Sequence, residues 1–151
     1  MNVLIIDDNK DITDAISLFA ESQGHSCVVS NDGKKGYDMV KNENFDLILL
    51  DLTMPEFSGY DILDTLKNDN NFDMKKIVVF TASNLDTSVV EKIESLGITQ
   101  LARKPISIDS LSEIFSKFET GGRNSFAKQV TEAISKIKGN YEKFEINSLD
   151  K

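Results

Sequence analysis

Five polar residues stand where short apolar runs stop. Asp7 and Asp8 follow Val3–Ile6, Asp51 follows Phe45–Leu50, Thr81 follows Ile77–Phe80, and Lys104 lies just beyond Ile98–Ala102. Two adjacent acids at the end of a run apolar enough to be buried carry an electrostatic cost unless a positive charge arrives between them. Clustered carboxylates bind hard cations and can act as nucleophiles toward phosphorus, while an ammonium and a hydroxyl neutralise developing oxyanions. Taken singly, each residue has an ordinary explanation. Asp7 and Asp8 suit the start of a helix, Asp51 a cap or turn, Thr81 the start of a loop, and Lys104-Pro105 a solvated turn. What decides between these readings is whether the chain brings the five together.

The runs alternate with amphipathic segments. The apolar stretches Val3–Ile6, Cys27–Val29, Phe45–Leu50, Ile77–Phe80 and Ile98–Ala102 predict strands, the continuous ones being of the kind found inside parallel sheets. Helices are predicted over 11–23, 34–41, 59–67, 89–96 and 108–118. The first shows Ile12, Ala15, Ile16, Phe19 and Ala20 on one face, and the last Leu111, Ile114, Phe115 and Phe118. Gly24 and Gly97 follow helices as C-terminal stops. Strict strand–helix alternation implies a doubly wound, flavodoxin-like α/β fold: a five-stranded parallel sheet, order 2-1-3-4-5, with five helices. In that order the winding reverses between strands 1 and 3, and ligands bind at their carboxyl ends. Asp7 and Asp8 are thereby placed beside Asp51, more than forty residues away in sequence.

Three carboxylates so placed repel one another, and a divalent cation relieves the repulsion. An all-oxygen donor set suits Mg2+, which accepts one or two carboxylates, water and phosphate. A carboxylate beside the metal can take a phosphoryl group, with Lys104 and Thr81 as the point charge and hydroxyl for its oxygens. The ordered set Asp7-Asp8, Asp51 in DLTMPEFSG with Pro55 and Gly59, Thr81-Ala82 and Lys104-Pro105 resembles the receiver domains of two-component response regulators over residues 1–120. The resemblance implies that Asp51 is the phospho-acceptor, supplied by a histidine kinase or phosphotransfer protein. It implies Mg2+ held by Asp8, Asp51 and the Thr53 backbone carbonyl, with Asp7 acting through water. It also implies that Lys104, before a cis peptide bond, pairs with the phosphoryl oxygens and that Thr81 moves to meet them.

Two departures from the family stand out. Three residues before the lysine the family usually carries Tyr or Phe, and here that place is Leu101; no output domain is recognisable either. Thr53 and Ser83 occupy the positions that govern water access to the acyl phosphate in the family. Both are small hydroxyls, so neither is expected to block water strongly.

Composition narrows the rest. The 151 residues carry a net charge of −8, which argues against direct nucleic-acid binding. One Cys and one His, Cys27 and His25, argue against a zinc site and fit a reducing compartment. No apolar run approaches the roughly 20 residues that span a bilayer, and the first residues lack the pattern of a secretory leader. A cytoplasmic protein is expected. Residues 1–120 hold 11 Lys/Arg against 21 Asp/Glu, whereas 121–151 hold 6 against 4. The shift at Gly121-Gly122 marks a boundary between a receiver domain, 1–120, and a C-terminal extension. Within the extension, 124–138 predicts a helix with Phe126, Val130, Ala133, Ile134 and Ile137 on one face. Such a helix is marginal alone, so docking on the domain or homodimerisation is expected to cover it.

The resulting expectation is a phosphorylation-dependent signalling switch that contacts a downstream protein through about residues 87–118. Its only chemistry is self-phosphotransfer and autodephosphorylation. The rivals are a magnesium-dependent phosphohydrolase of the haloacid dehalogenase type and a receiver-like binding module that is not phosphorylated. The first needs a second acid two residues after the nucleophile, where Thr53 stands.

Overall fold

Short runs of leucine and β-branched side chains, apolar on both faces, form the strands. In the computed structural model, which describes residues 1–82 and 84–120, these are β1 (Asn2–Ile6), β2 (Ser26–Ser30), β3 (Leu47–Leu50), β4 (Ile77–Thr81) and β5 (Gln100–Arg103). Between them lie α1 (Lys10–Ser22), α2 (Gly33–Asn42), α3 (Gly59–Leu66), a 3-10 turn (Met74–Lys76) and α4 (Thr87–Ser95). Residues 108–120 form α5. All strand pairs are parallel and the order is β2-β1-β3-β4-β5. The described residues thus form the expected five-stranded doubly wound sheet with five helices.

The chain divides into two compact units, Met1–Ser107 and Ile108–Lys151. The first holds the whole sheet. In the second, Leu111, Ile114 and Phe115 are the buried residues of α5, and Phe118 of the expected stripe is half-exposed. The helix expected over 124–138, the rest of the extension and Ser83 lie outside the described residues.

Each helix of the first unit starts on a side-chain cap, which fixes where the preceding loop ends. Asn9 accepts from the Ile12 N–H at 3.2 Å, Asp32 from Lys35 at 2.7 Å, and Asp86 from Val89 at 3.0 Å. Ser58 and Asp61 form a reciprocal capping box on α3. Period-two alternation sorts the strand side chains. Leu4, Ile6, Ile48, Leu50, Ile77 and Val79 join Val40 of α2, Leu63 of α3 and Ile93 of α4 in one core. The alternate residues, Val3, Ile5, Leu49, Val78 and Phe80 among them, are just as fully buried.

Several element ends differ from the sequence expectation. β3 begins at Leu47 rather than Phe45, because the Asp46 carboxylate takes the Asn2 N–H at 2.6 Å and terminates the ladder there. β5 begins at Gln100 rather than Ile98. Gly97 turns the chain at φ 87°, and Ile98 buries its side chain in the turn. α4 starts at Thr87 because Asp86 caps it. On α1, Ala15 is exposed and Thr13 takes the inner face; the Thr13 hydroxyl donates to the Lys10 carbonyl at 3.0 Å, so no polar group is stranded.

Gly59 opens α3 against the end of β3. A Cβ there would lie 2.1 Å from the Asp51 carbonyl oxygen and 2.7 Å from Leu52 Cα. Both are backbone atoms and cannot step aside. Gly59→Ala is therefore expected to cost about 2 kcal/mol as an overpacking substitution. The measurement is the urea midpoint at constant m; an unchanged midpoint would show that the β3–α3 connection yields freely.

Candidate functional site

The switch in winding places the carboxyl ends of β1 and β3 side by side. Ile6 is in register with both Ser30 of β2 and Leu50 of β3. The next residue along continues the pattern in main-chain hydrogen bonds, Asp7 N–H to the Ser30 carbonyl at 3.1 Å and Asp51 N–H to the Ile6 carbonyl at 2.9 Å. Asp7 is fully buried, Asp51 almost so, and Asp8 faces solvent. One carboxylate oxygen from each of the three lies within 4.8 Å of the others.

Lys104 closes the group from β5. Its Nζ stands 2.5 Å from Asp7 Oδ2 and 3.3 Å from Asp51 Oδ2, and 5.2 Å from the centre of the Phe80 ring. Its backbone N–H donates to the Thr81 carbonyl at 3.0 Å, which ties the ends of β4 and β5 together. The Lys104–Pro105 peptide bond is cis, as the resemblance implied. Thr81 is buried at the end of β4. Thr53 is exposed, and its N–H donates to Asp51 Oδ1 at 3.3 Å.

Charge and burial compete at Asp51. Loss of solvent raises its carboxyl pKa, the Lys104 ammonium lowers it, Asp7 raises it, and the Thr53 N–H lowers it; desolvation is the largest effect and the net direction is up. At Asp7, Oδ1 accepts from the Asn9 N–H at 2.9 Å. Oδ2 has no hydrogen bond of acceptable geometry, although the Lys104 ammonium is in ionic contact with it. A buried carboxylate oxygen held by charge alone is an atom that a cation would satisfy. Magnesium binds oxygens at about 2.0–2.1 Å, so its ligand oxygens lie roughly 3 to 4 Å apart. The three-acid cluster, with one exposed member, fits such an ion with water completing its shell.

The sequence-predicted residues Asp7, Asp8, Asp51 and Lys104 are thus brought together, with Thr81 and Thr53 beside them. Sequence reading missed the groups that hold them. The Asn31 side-chain amide donates to the Asp7 carbonyl at 2.8 Å and to Thr13 Oγ1 at 3.0 Å, pinning the turn after β1 to α1. Phe80 lies against the lysine. Nothing local marks Asn31 beyond its place in the polar Asn31-Asp32-Gly33 turn after β2, the strand that lies next to β1.

A doubly wound sheet whose switch point carries three carboxylates and one lysine defines a receiver-type module. The family model for the response regulator receiver domain matches residues 3–116, and the chain belongs to that family. The cell cycle transcriptional regulator CtrA of Caulobacter vibrioides is 32% identical over 111 residues, covering 74% of this chain and 47% of the relative. The chain spans about half the length of the curated relatives it matches. Among solved structures, the receiver domain of the Francisella response regulator 1452 is 26% identical with a TM-score of 0.71, covering 81% of this chain and 98% of that one. The fold is shared with TrrA of Thermotoga maritima, solved in complex with Mg2+-BeF, at 21% identity and TM-score 0.65, over 78% of this chain and 97% of that one.

The raised Asp51 pKa has a consequence for stability. A carboxyl whose folded-state pKa exceeds the unfolded one stabilises the fold while protonated, and that contribution disappears as pH rises through the folded value. Ionised Asp51 therefore opposes folding at neutral pH. Metal-free Asp51→Asn should melt above wild type at pH 7, and the gap should close below the ordinary carboxylate range of about 4. Thermal melts in a chelator at both pH values check this; an Asn variant that melts no higher at pH 7 contradicts it.

Proposed function

We propose that this chain is a phosphorylation-dependent signalling switch that accepts a phosphoryl group on Asp51. The observation that carries the reading is the cluster of Asp7, Asp8 and Asp51 at the switch point of the sheet, two of whose members, Asp7 and Asp51, share one ammonium, Lys104. The donor is a histidine kinase or phosphotransfer protein. An Asp51 carboxylate oxygen forms a bond to phosphorus while the phosphorus–nitrogen bond of a phosphohistidine breaks, and the leaving imidazole keeps the electron pair. Asp8, Asp51 and the Thr53 carbonyl would hold the metal, with Asp7 acting through water. When bound, Mg2+ supplies positive charge to the phosphoryl oxygens.

The chain's own residues do the rest. Lys104 Nζ already stands 3.3 Å from the carboxylate that is to be modified. Thr81, one strand away, supplies the hydroxyl. Leu101 stands in register with Val79 and packs on the core, so any response to Thr81 runs through aliphatic repacking instead of an aromatic swing. The signal shifts a pre-existing equilibrium and is read by a downstream protein over about residues 87–118. Residues 1–120 make up the receiver and 121–151 a C-terminal extension, and the proposal extends to a homodimer. A cytoplasmic location is part of the proposal; among the described residues no helix is long and apolar enough to cross a membrane. Thr53 in place of a second acid disfavours a phosphohydrolase.

Incubation with Mg2+ and acetyl phosphate, followed by intact mass, is the direct test. Wild type should gain one phosphoryl group and Asp51→Asn none; an unmodified wild type would overturn the proposal. Because Thr53 and Ser83 are small, enlarging both side chains should lengthen the half-life of the phosphorylated form. A wild-type half-life much longer than that of the enlarged variant contradicts the claim of open water access.

A further inference from the structure

The loop from Asp51 to Gly59 leaves the acid cluster, carries Thr53 and returns to α3. Its inner half is anchored by the Gly59 N–H, which donates to the Leu52 carbonyl at 3.1 Å, and by Met54, buried in the core. Its outer half is a tight turn. The Phe57 N–H donates to the Pro55 carbonyl at 2.8 Å, and Glu56 sits in the left-handed region at φ 64°. A residue with a Cβ stays in that region only where its surroundings enforce it.

The enforcing surface is the first turn of α2. A Cβ on Gly33 would stand 1.9 Å from the Phe57 carbonyl oxygen and 3.0 Å from its carbon, so the loop backbone rests directly on the helix. The Tyr37 and Phe57 rings meet at 5.9 Å and 57°. Lys34 Nζ lies 4.8 Å from the Tyr37 ring centre and 5.8 Å from that of Phe57. Lys34 is itself held by Asp38 at 2.9 Å. Such cation–ring and ring–ring contacts are attractive and directional.

We infer that Gly33, Lys34 and Tyr37 form a seat for the β3–α3 loop and act as positioning residues for the magnesium site through it. The inference rests on the proposed reading, in which the Thr53 carbonyl is a ligand. A backbone carbonyl has no rotamer to adjust, so the position of the loop is the position of the ligand. Partners that orient metal ligands from behind are worth roughly 10- to 100-fold in affinity.

Calorimetric titration with MgCl2 tests this on the full chain, with melting followed in parallel. Tyr37→Leu removes the ring contacts and leaves the backbone intact; Gly33→Ala pushes on the loop through its new Cβ. Val40→Ala, at a buried position later in the same helix, is the control for general destabilisation. The expected result is a roughly tenfold weaker Mg2+ affinity in Tyr37→Leu and Gly33→Ala, with wild-type affinity in a Val40→Ala protein that melts lower. Wild-type affinity in Tyr37→Leu overturns the inference, and so does equal weakening in Val40→Ala. Should Gly33→Ala fail to fold, Tyr37→Leu decides alone. A wild type that binds no Mg2+ defeats the proposed function itself, an outcome distinct from either of these.

Discussion

The structure is organised around two carboxylates, Asp7 and Asp51, that share one ammonium at the edge of a dry sheet. Neither acid can reach full solvent, because each ends a strand that is apolar on both faces. Burying a charge is tolerated only when it is paired, and Lys104 supplies the pairing from β5. The pairing is incomplete by design of the topology. Two negative charges face one positive charge, and at Asp51 the desolvation penalty outweighs the attraction of the lysine. A site in that condition gains from any further positive charge and from any change that alters the carboxylate at Asp51.

Much of this was legible in the sequence because the fold is periodic and the site sits where the periods end. Each apolar run stopped on a polar residue, and one topological rule carried Asp51 to Asp7 and Asp8. Lys104 followed from the same logic at β5. Strand order and number came through because β1, β3 and β4 are continuous apolar runs. What did not come through are contacts without a period. Asn31 reaches two partners at once across a turn. Gly33 is needed for the absence of a side chain against a carbonyl twenty-four residues later. The strands begin two residues after the expected starts at Phe45 and Ile98 for a related reason. Both side chains are buried like strand residues, while a local polar contact or a glycine turn takes their backbones out of the ladder.

The glycines show how the acids are kept in place without extra polar groups. Gly59 lets α3 start against the Asp51 carbonyl, and Gly33 lets α2 start against the Phe57 carbonyl. Two helix starts therefore clamp opposite ends of one loop, and neither clamp uses a group that would compete for a cation. The third support, Asn31, bonds the Asp7 carbonyl and leaves both carboxylate oxygens to other partners. The oxygen-rich side chains stay available because the scaffold is held by backbone proximity and apolar packing.

The same economy separates the two acids of the opening pair. Asp7 continues β1 into the interior and is fixed by the Asn9 N–H on one oxygen and Lys104 beside the other. Asp8 turns outward into solvent, where a carboxylate costs little to desolvate partially and can rotate to meet an arriving ion. The exposed Asp8 stands on the solvent side of the cluster, while the buried Asp7 keeps its contact with the lysine. Adjacent residues on a strand end face opposite ways, so two consecutive acids are the shortest sequence that provides one anchored and one adjustable carboxylate at the same site.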